Sequence, residues 1–208
     1  MNQFHELKYV PVKELVSQEI VELFSQYALI DELFNFNQEV GQENDIQVKN
    51  AHSKYADPFA ESLLLHLKSK IEYVTELELI PTYSYYRVYR PGSILKKHVD
   101  RPSCEISTSV CFKYNYKERN EDLIWPIFFN NQAVVLYPGD GVVYKGMEVP
   151  HWREELNAPD FSYHIQAFFH YVDKNGPYVE YALDKRMAIG EKKKFDNKFQ
   201  KSYISIIN

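Results

Sequence analysis

The sequence predicts an α+β fold in which helices come first and a barrel of short strands follows. Three observations carry the prediction. Apolar residues recur at helical spacing through the first third of the chain. At Pro81 the character changes to short aromatic and β-branched runs separated by turn residues. Aromatic content is high, 17 Tyr and 13 Phe in 208 residues, and such side chains suit half-buried strands. Helices segregated from strands pack against one face of a sheet. So many short strands in succession point to a double-stranded β-helix, the two-sheet jelly-roll or cupin-like barrel, with the N-terminal helices supporting it. A chain of this length builds one domain with a sizeable core and is short for two. The expected organisation is a single domain over 1–208: a mainly helical support region at 1–80, the barrel core at 81–177 and a C-terminal extension at 178–208.

Residues 12–36 carry Leu15, Ile20, Leu23, Phe24, Leu29, Ile30, Leu33 and Phe34 at helix-like spacing and are expected to form the first helix. Residues 38–54 are polar and read as a loop. Pro58, whose fixed φ suits a first helical turn, opens a second helix at 59–77 with Leu63, Leu64, Leu67, Ile71 and Val74 on one face. The strand region starts with the aromatic run 83–89, and Arg90-Pro91-Gly92-Ser93 turns the chain. Strands follow at 94–100 and 105–114, then a charged loop at 117–122. Short strands at 123–129, 132–137, 141–144, 149–153 and 162–172 complete the barrel, and Pro138-Gly139-Asp140-Gly141 marks a tight turn among them. The lysine-rich stretch 192–201 reads as a solvated C-terminal helix or tail.

Charge and composition narrow the function. A net charge of −5 and a pI near 5.8 argue against nucleic-acid binding through a basic surface. The N-terminus lacks the basic start and apolar core of a signal peptide. No apolar run approaches the roughly 20 residues a membrane helix needs. Cys104 and Cys111 fall at opposite strand parity, which disfavours a disulfide between them, so a reducing cytoplasm is the expected compartment.

The chemistry concentrates in His98-Val99-Asp100 and the distant His151. In a strand, residues i and i+2 point to the same face, so His98 and Asp100 both reach one ion while Val99 turns away. A facing strand brings His151 to the same point. Two histidines and one carboxylate form the facial triad of non-haem Fe(II), which leaves the opposite side of the metal open. The bland reading is a surface His–Asp pair and an unrelated histidine at a strand end.

The run Tyr83-Ser84-Tyr85-Tyr86-Arg87-Val88-Tyr89-Arg90-Pro91-Gly92-Ser93-Ile94-Leu95-Lys96-Lys97-His98-Val99-Asp100-Arg101 resembles the front half of a 2-oxoglutarate/Fe(II)-dependent dioxygenase of the prolyl-hydroxylase-like branch. Residues 138–146, Pro150-His151-Trp152-Arg153-Glu154 and the closing run 166–173 resemble its back half. The resemblance covers about 81–177, and it implies His98, Asp100 and His151 as metal ligands and catalytic residues. It implies Fe(II), 2-oxoglutarate and O2 as cofactor and co-substrates, with oxidative decarboxylation to succinate and CO2 coupled to hydroxylation of a peptide, protein or amino-acid side chain. Related halogenases lack the carboxylate, so Asp100 points to hydroxylation. The family's usual basic anchor for the far carboxylate of 2-oxoglutarate, about ten residues after the distal histidine, falls near Phe161, which is not basic. Tyr89, Arg153 and Lys113 are the alternatives, with Tyr89 and Arg153 ahead of Lys113. Against each stands a plain reading: Tyr89 as core, Arg153 paired with Glu154 or Glu155, Lys113 as a solvated edge residue.

Ligating histidines usually donate their second N–H to a carboxylate or carbonyl, and Glu105 and Gln166 are candidates for that role. Arg101 is placed to pair with Glu105 or to reach substrate. Trp125 and Trp152 read as core or pocket wall, and His170 as a structural histidine. His164 shares a strand face with Gln166 and His170, and its role stays open. The competing functions are a small-molecule hydroxylase of the same superfamily and a non-catalytic jelly-roll metal- or ligand-binding protein. No membrane or nucleic-acid partner is expected.

Overall fold

The computed structural model describes residues 3–37 and 47–191. In chain order the elements are α1 (Gln3–Leu7), β1 (Tyr9–Val12), α2 (Gln18–Asn37), β2 (Ala51–Tyr55), α3 (Pro58–Thr75), β3 (Leu79–Tyr89), β4 (Leu95–His98), β5 (Ile106–Tyr114), α4 (Tyr116–Arg119), β6 (Ile127–Phe129), β7 (Gln132–Val134), β8 (Gly141–Lys145), β9 (His151–Arg153) and β10 (His164–Asp173). Short 3-10 turns cover Pro102–Cys104 and Val179–Lys185. The architecture is α+β with two antiparallel sheets. One has six strands in the order β1-β8-β5-β10-β3-β2, the other four in the order β4-β9-β6-β7.

Local chemistry sets the helix ends. Asp57 caps α3, its carboxylate accepting from the Phe59 and Ala60 amides at 3.0 and 3.3 Å, and Pro58 opens the first turn. Glu76 ends α3 in the left-handed conformation, with its N–H on the Glu72 carbonyl.

Period-two alternation then divides each central strand between two layers. Ile165, Ala167, Phe169 and Tyr171 of β10 join Tyr86 and Val88 of β3 in a core with Phe24 of α2 and Leu64, Leu67 and Ile71 of α3. The opposite face of β10 carries His164, Gln166, Phe168 and His170, all buried. Between the sheets, Cys111, Val142 and Tyr144 of the larger pack against Ile127, Phe129 and Val134 of the smaller.

Several sequence expectations need correction. The helix expected from residue 12 starts at Gln18, because Tyr9–Val12 instead pairs with β8 as an edge strand. Its expected apolar face is only partly buried: Val21, Phe24 and Ala28 make the stripe, while Leu23, Ile30, Leu33 and Phe34 are exposed. Apolar residues ring this helix, and the sheet selects which of them it covers. Residues 51–54, expected as loop, belong to β2 at the edge beside β3. Its polar sequence fits an edge, where charge discourages further pairing. The loop at 117–122 contains the single turn α4, and the strands at 94–100, 123–129 and 149–153 are shorter than expected. Residues 38–46 and the lysine-rich 192–201 lie outside the described residues.

Candidate metal centre

His98 ends β4 and His151 starts β9, and the two are direct partners across that antiparallel pair. Their rings lie 4.3 Å apart, centroid to centroid. Asp100 follows β4, its N–H donating to the Gly146 carbonyl at 2.9 Å. Ligand atoms of His98, Asp100 and His151 all lie within 4.8 Å of one another. Asp100 Oδ1 is 3.5 Å from Nε2 of both histidines. Each histidine turns Nδ1 to a backbone carbonyl two residues before it, Lys96 at 2.8 Å and Val149 at 2.9 Å. A carbonyl only accepts, so Nδ1 carries the proton and both Nε2 lone pairs face Asp100. The donor set therefore suits a divalent metal ion.

Phe129 and Tyr144 pack on the His151 ring. The His151 side chain is 4% exposed and that of His98 24%, so the cluster opens on one side only. On that side Gln47 Nε2 donates to His98 Nε2 at 3.0 Å, and Arg87 holds the Gln47 carbonyl at 2.6 Å. The Arg87 guanidinium lies against Tyr85 and Phe168, 4.9 and 5.4 Å from the ring centres.

Arg153 sits two residues past His151 on β9. It is 1% exposed, yet no carboxylate among the described residues pairs with it. Nη1 donates to the Trp125 carbonyl at 2.9 Å and Nη2 to Gln166 Oε1 at 2.6 Å, while the guanidinium lies 4.3 Å from the Trp125 ring. Its Nε and the Tyr89 hydroxyl are both buried without a hydrogen-bond partner. Burial pushes the Arg153 pKa down. Gln166 also accepts from His164 Nε2 at 2.7 Å and donates to Ser109 at 2.7 Å, which orients its carbonyl toward Arg153. Burial first, then Arg153, holds His164 neutral.

Of the residues expected at the site, His98, Asp100 and His151 converge, and Tyr89 and Arg153 lie together beside them. Lys113 does not join them. A register shift between Ile165 and Gln166 places it opposite Ile165, on the helix-facing layer, where it is exposed. Glu105 does not hold a histidine, since its carboxylate accepts from the Asp173 amide. Gln166 serves Arg153 instead, and Arg101 makes a bidentate pair with Asp184 at 2.6 and 2.8 Å. Sequence reading missed Gln47, Ser107 and Ser109. Three polar residues on one face of an otherwise apolar β10 were the available signal for the buried polar network.

A second group, Asp100, Cys104 and His170, also lies within 4.8 Å. Burial raises the Cys104 thiol far above its ordinary value, the Tyr83 hydroxyl contacts its sulfur at 3.1 Å, and burial lowers His170 to about 4. Ser107 links Asp100 to His170, so this group is a hydrogen-bonded network.

No family model and no curated protein matches the chain. Solved structures do. A prolyl-4-hydroxylase of Pseudomonas putida matches with a TM-score of 0.60 at 15% identity, over 80% of this chain and 94% of that one. The α-ketoglutarate-dependent epimerase SnoN of nogalamycin biosynthesis matches at 0.61 and 13%, over 82% and 80%. HygX of Streptomyces hygroscopicus, solved with nickel and 2-oxoglutarate bound, matches at 0.58 and 12%, over 83% and 85%. The chain shares the fold of these three proteins.

Proposed function

We propose that the protein is an Fe(II)- and 2-oxoglutarate-dependent oxygenase, with His98, Asp100 and His151 as its metal ligands. The observation that carries this reading is the buried, carboxylate-free Arg153, two strand positions from His151, with its Nε and the Tyr89 hydroxyl short of partners. A buried cation without an anion is costly, and a carboxylate ligand would complete it. Two residues along a strand span about 7 Å, which suits a five-carbon diacid held at one end by the metal and at the other by Arg153. A guanidinium binds a carboxylate through two parallel N–H groups, and Tyr89 would add a third donor.

Bound with 2-oxoglutarate and O2, Fe(II) would supply oxidative decarboxylation to succinate and CO2, coupled to hydroxylation of a substrate C–H bond. His98 and His151 would offer Nε2 and Asp100 its Oδ1, while Phe129, Tyr144 and Trp125 exclude water. Hydroxylation is favoured because Asp100 fills the position a halide would need. In this reading the two sheets form a double-stranded β-helix within one domain, with 81–177 as catalytic core, 1–80 as support and 178–208 as extension. The substrate is a peptide, protein or amino-acid side chain, in keeping with the likeness to a prolyl-4-hydroxylase, or a small molecule. Arg87, Tyr85 and Phe168 line its approach. The free thiols Cys104 and Cys111 fit the cytoplasm, and the net negative charge disfavours a nucleic-acid substrate.

The test is succinate release from 2-oxoglutarate by anaerobically Fe(II)-loaded protein on admitting oxygen, with Asp100→Ala alongside. Succinate from the wild type alone supports the oxygenase. No succinate, together with no Fe(II) or 2-oxoglutarate binding, returns the chain to a non-catalytic jelly-roll binder.

A further inference from the structure

We propose that His170 and Ser107 form a positioning relay that holds the Asp100 carboxylate with Oδ1 alone toward the metal. The inference rests on the metal-ligand reading above and adds two residues to it. Ser107 on β5 and His170 on β10 are direct cross-strand partners. His170 Nδ1 lies 2.9 Å from Ser107 Oγ, and Ser107 Oγ lies 3.2 Å from Asp100 Oδ2, the oxygen turned away from the histidine pair.

Proton accounting gives the relay its direction. A serine hydroxyl has one proton and two lone pairs. Asp100 Oδ2 and the Cys104 carbonyl, at 3.1 Å, both compete for that proton. The carboxylate is the stronger acceptor, because charge-assisted hydrogen bonds are roughly twice as strong as neutral ones. With His170 Nδ1–H donating to a lone pair, the serine proton goes to Asp100.

The backbone closes the same corner. A Cβ on Gly146 would lie 2.6 Å from Asp100 Oδ2, 2.2 Å from the Cys104 carbonyl and 2.9 Å from Ser107 Oγ. The carboxylate thus has Gly146 behind it, Ser107 on one oxygen and the histidines on the other. Tyr83 fixes the His170 ring from its other side, 4.5 Å between centroids. A carboxylate held this way offers one oxygen. Without Ser107 it is free to rotate and present both.

Mn(II) affinity by calorimetry and the visible spectrum of the Co(II) form, each on the metal-free full chain, test the relay. Ser107→Ala and His170→Phe are expected to weaken Mn(II) binding on the order of 10- to 100-fold, the usual effect of losing a group that orients a ligand. They should also change the Co(II) band intensity as the carboxylate becomes bidentate. His170→Asn keeps an N–H near Nδ1 and is expected to restore much of the affinity. Wild-type affinity and spectrum in Ser107→Ala would overturn the relay. Equal losses in His170→Asn and His170→Phe would remove His170 from it. His98→Ala separates this inference from its premise: if that variant still binds Mn(II) tightly, the ligand set itself is wrong.

Discussion

The two ends of the space between the sheets pose opposite problems. At the His98–Asp100–His151 end, Asp100 Oδ1 and both Nε2 atoms bring acceptors to one point, while Ser107 holds Asp100 Oδ2 and a backbone carbonyl takes each histidine's Nδ1–H. That end is also partly open. At the Arg153 end the site is sealed, yet Arg153 Nε and the Tyr89 hydroxyl remain short of partners. In the proposed reading, the first end takes a cation that enters from outside, and the second carries an electrostatic deficit that a bound anion would remove. Ligand binding should therefore act on stability chiefly through the second end, and metal selectivity through the first.

The largest expected effect breaks the metal end. His151→Ala or His98→Ala should weaken Fe(II) binding by more than about 100-fold, more than the loss of an orienting group costs. Anaerobic Fe(II) titration measures it, and retained tight binding would contradict the ligand set.

Arg153→Met sharpens the contrast, because the two ends should respond with opposite signs. Replacing a buried charge by an apolar side chain of similar length should raise the unfolding free energy of the ligand-free protein by about 1–2 kcal/mol. It should also abolish stabilisation by 2-oxoglutarate. In the wild type, metal-loaded protein at a hundredfold excess over the dissociation constant should gain about 2.7 kcal/mol. Thermal unfolding with and without 2-oxoglutarate reads both, and a destabilised Arg153→Met variant that still responds to 2-oxoglutarate would refute the deficit.

Tyr89→Phe is the gentler version. Its hydroxyl has no partner among the described residues, so the ligand-free protein should lose no stability, while 2-oxoglutarate affinity falls about 10- to 100-fold, the worth of one hydrogen bond to a charged group. Lys113→Ala should leave that affinity unchanged. Equilibrium binding to the metal-loaded protein separates the two variants.

The smallest effect lies outside both ends. Burial would raise the Asp31 carboxyl, but His52, Lys54 and Tyr86 together hold it far below its ordinary value. A depressed folded-state pKa stabilises above the unfolded value, near about 4, and that contribution is lost as pH falls through the folded value. Asp31→Asn should flatten the acid side of the stability–pH profile, and an unchanged profile would show that Asp31 is not the group that titrates.

The parts of the fold legible in sequence were those with local rules. Pro58 and the leucine spacing located α3 closely, and Pro138-Gly139-Asp140-Gly141 located a turn, where Gly139 has a φ of +95°. His98 and Asp100 were read as a pair from strand spacing, and they do meet, although β4 ends at His98 and the bond from the Asp100 N–H to the Gly146 carbonyl fixes the chain there. Which side of α2 is buried was not legible, since Leu23, Ile30, Leu33 and Phe34 are as apolar as Val21, Phe24 and Ala28. Nor was the fate of Lys113. Its parity matched Cys111 in sequence, and only the register shift beside Gln166 turned it away.

The sequence by itself determined the helix-then-strand order, the candidate ligand types and the short-range spacing that makes two of them neighbours. Tertiary structure alone decided that His151 pairs with His98, that Ser107 meets His170, and that Arg153 is enclosed without a carboxylate. The physical reason is range. Backbone geometry fixes directions over two to four residues, whereas pairing across a sheet and exclusion from water depend on the packing of segments distant in the chain.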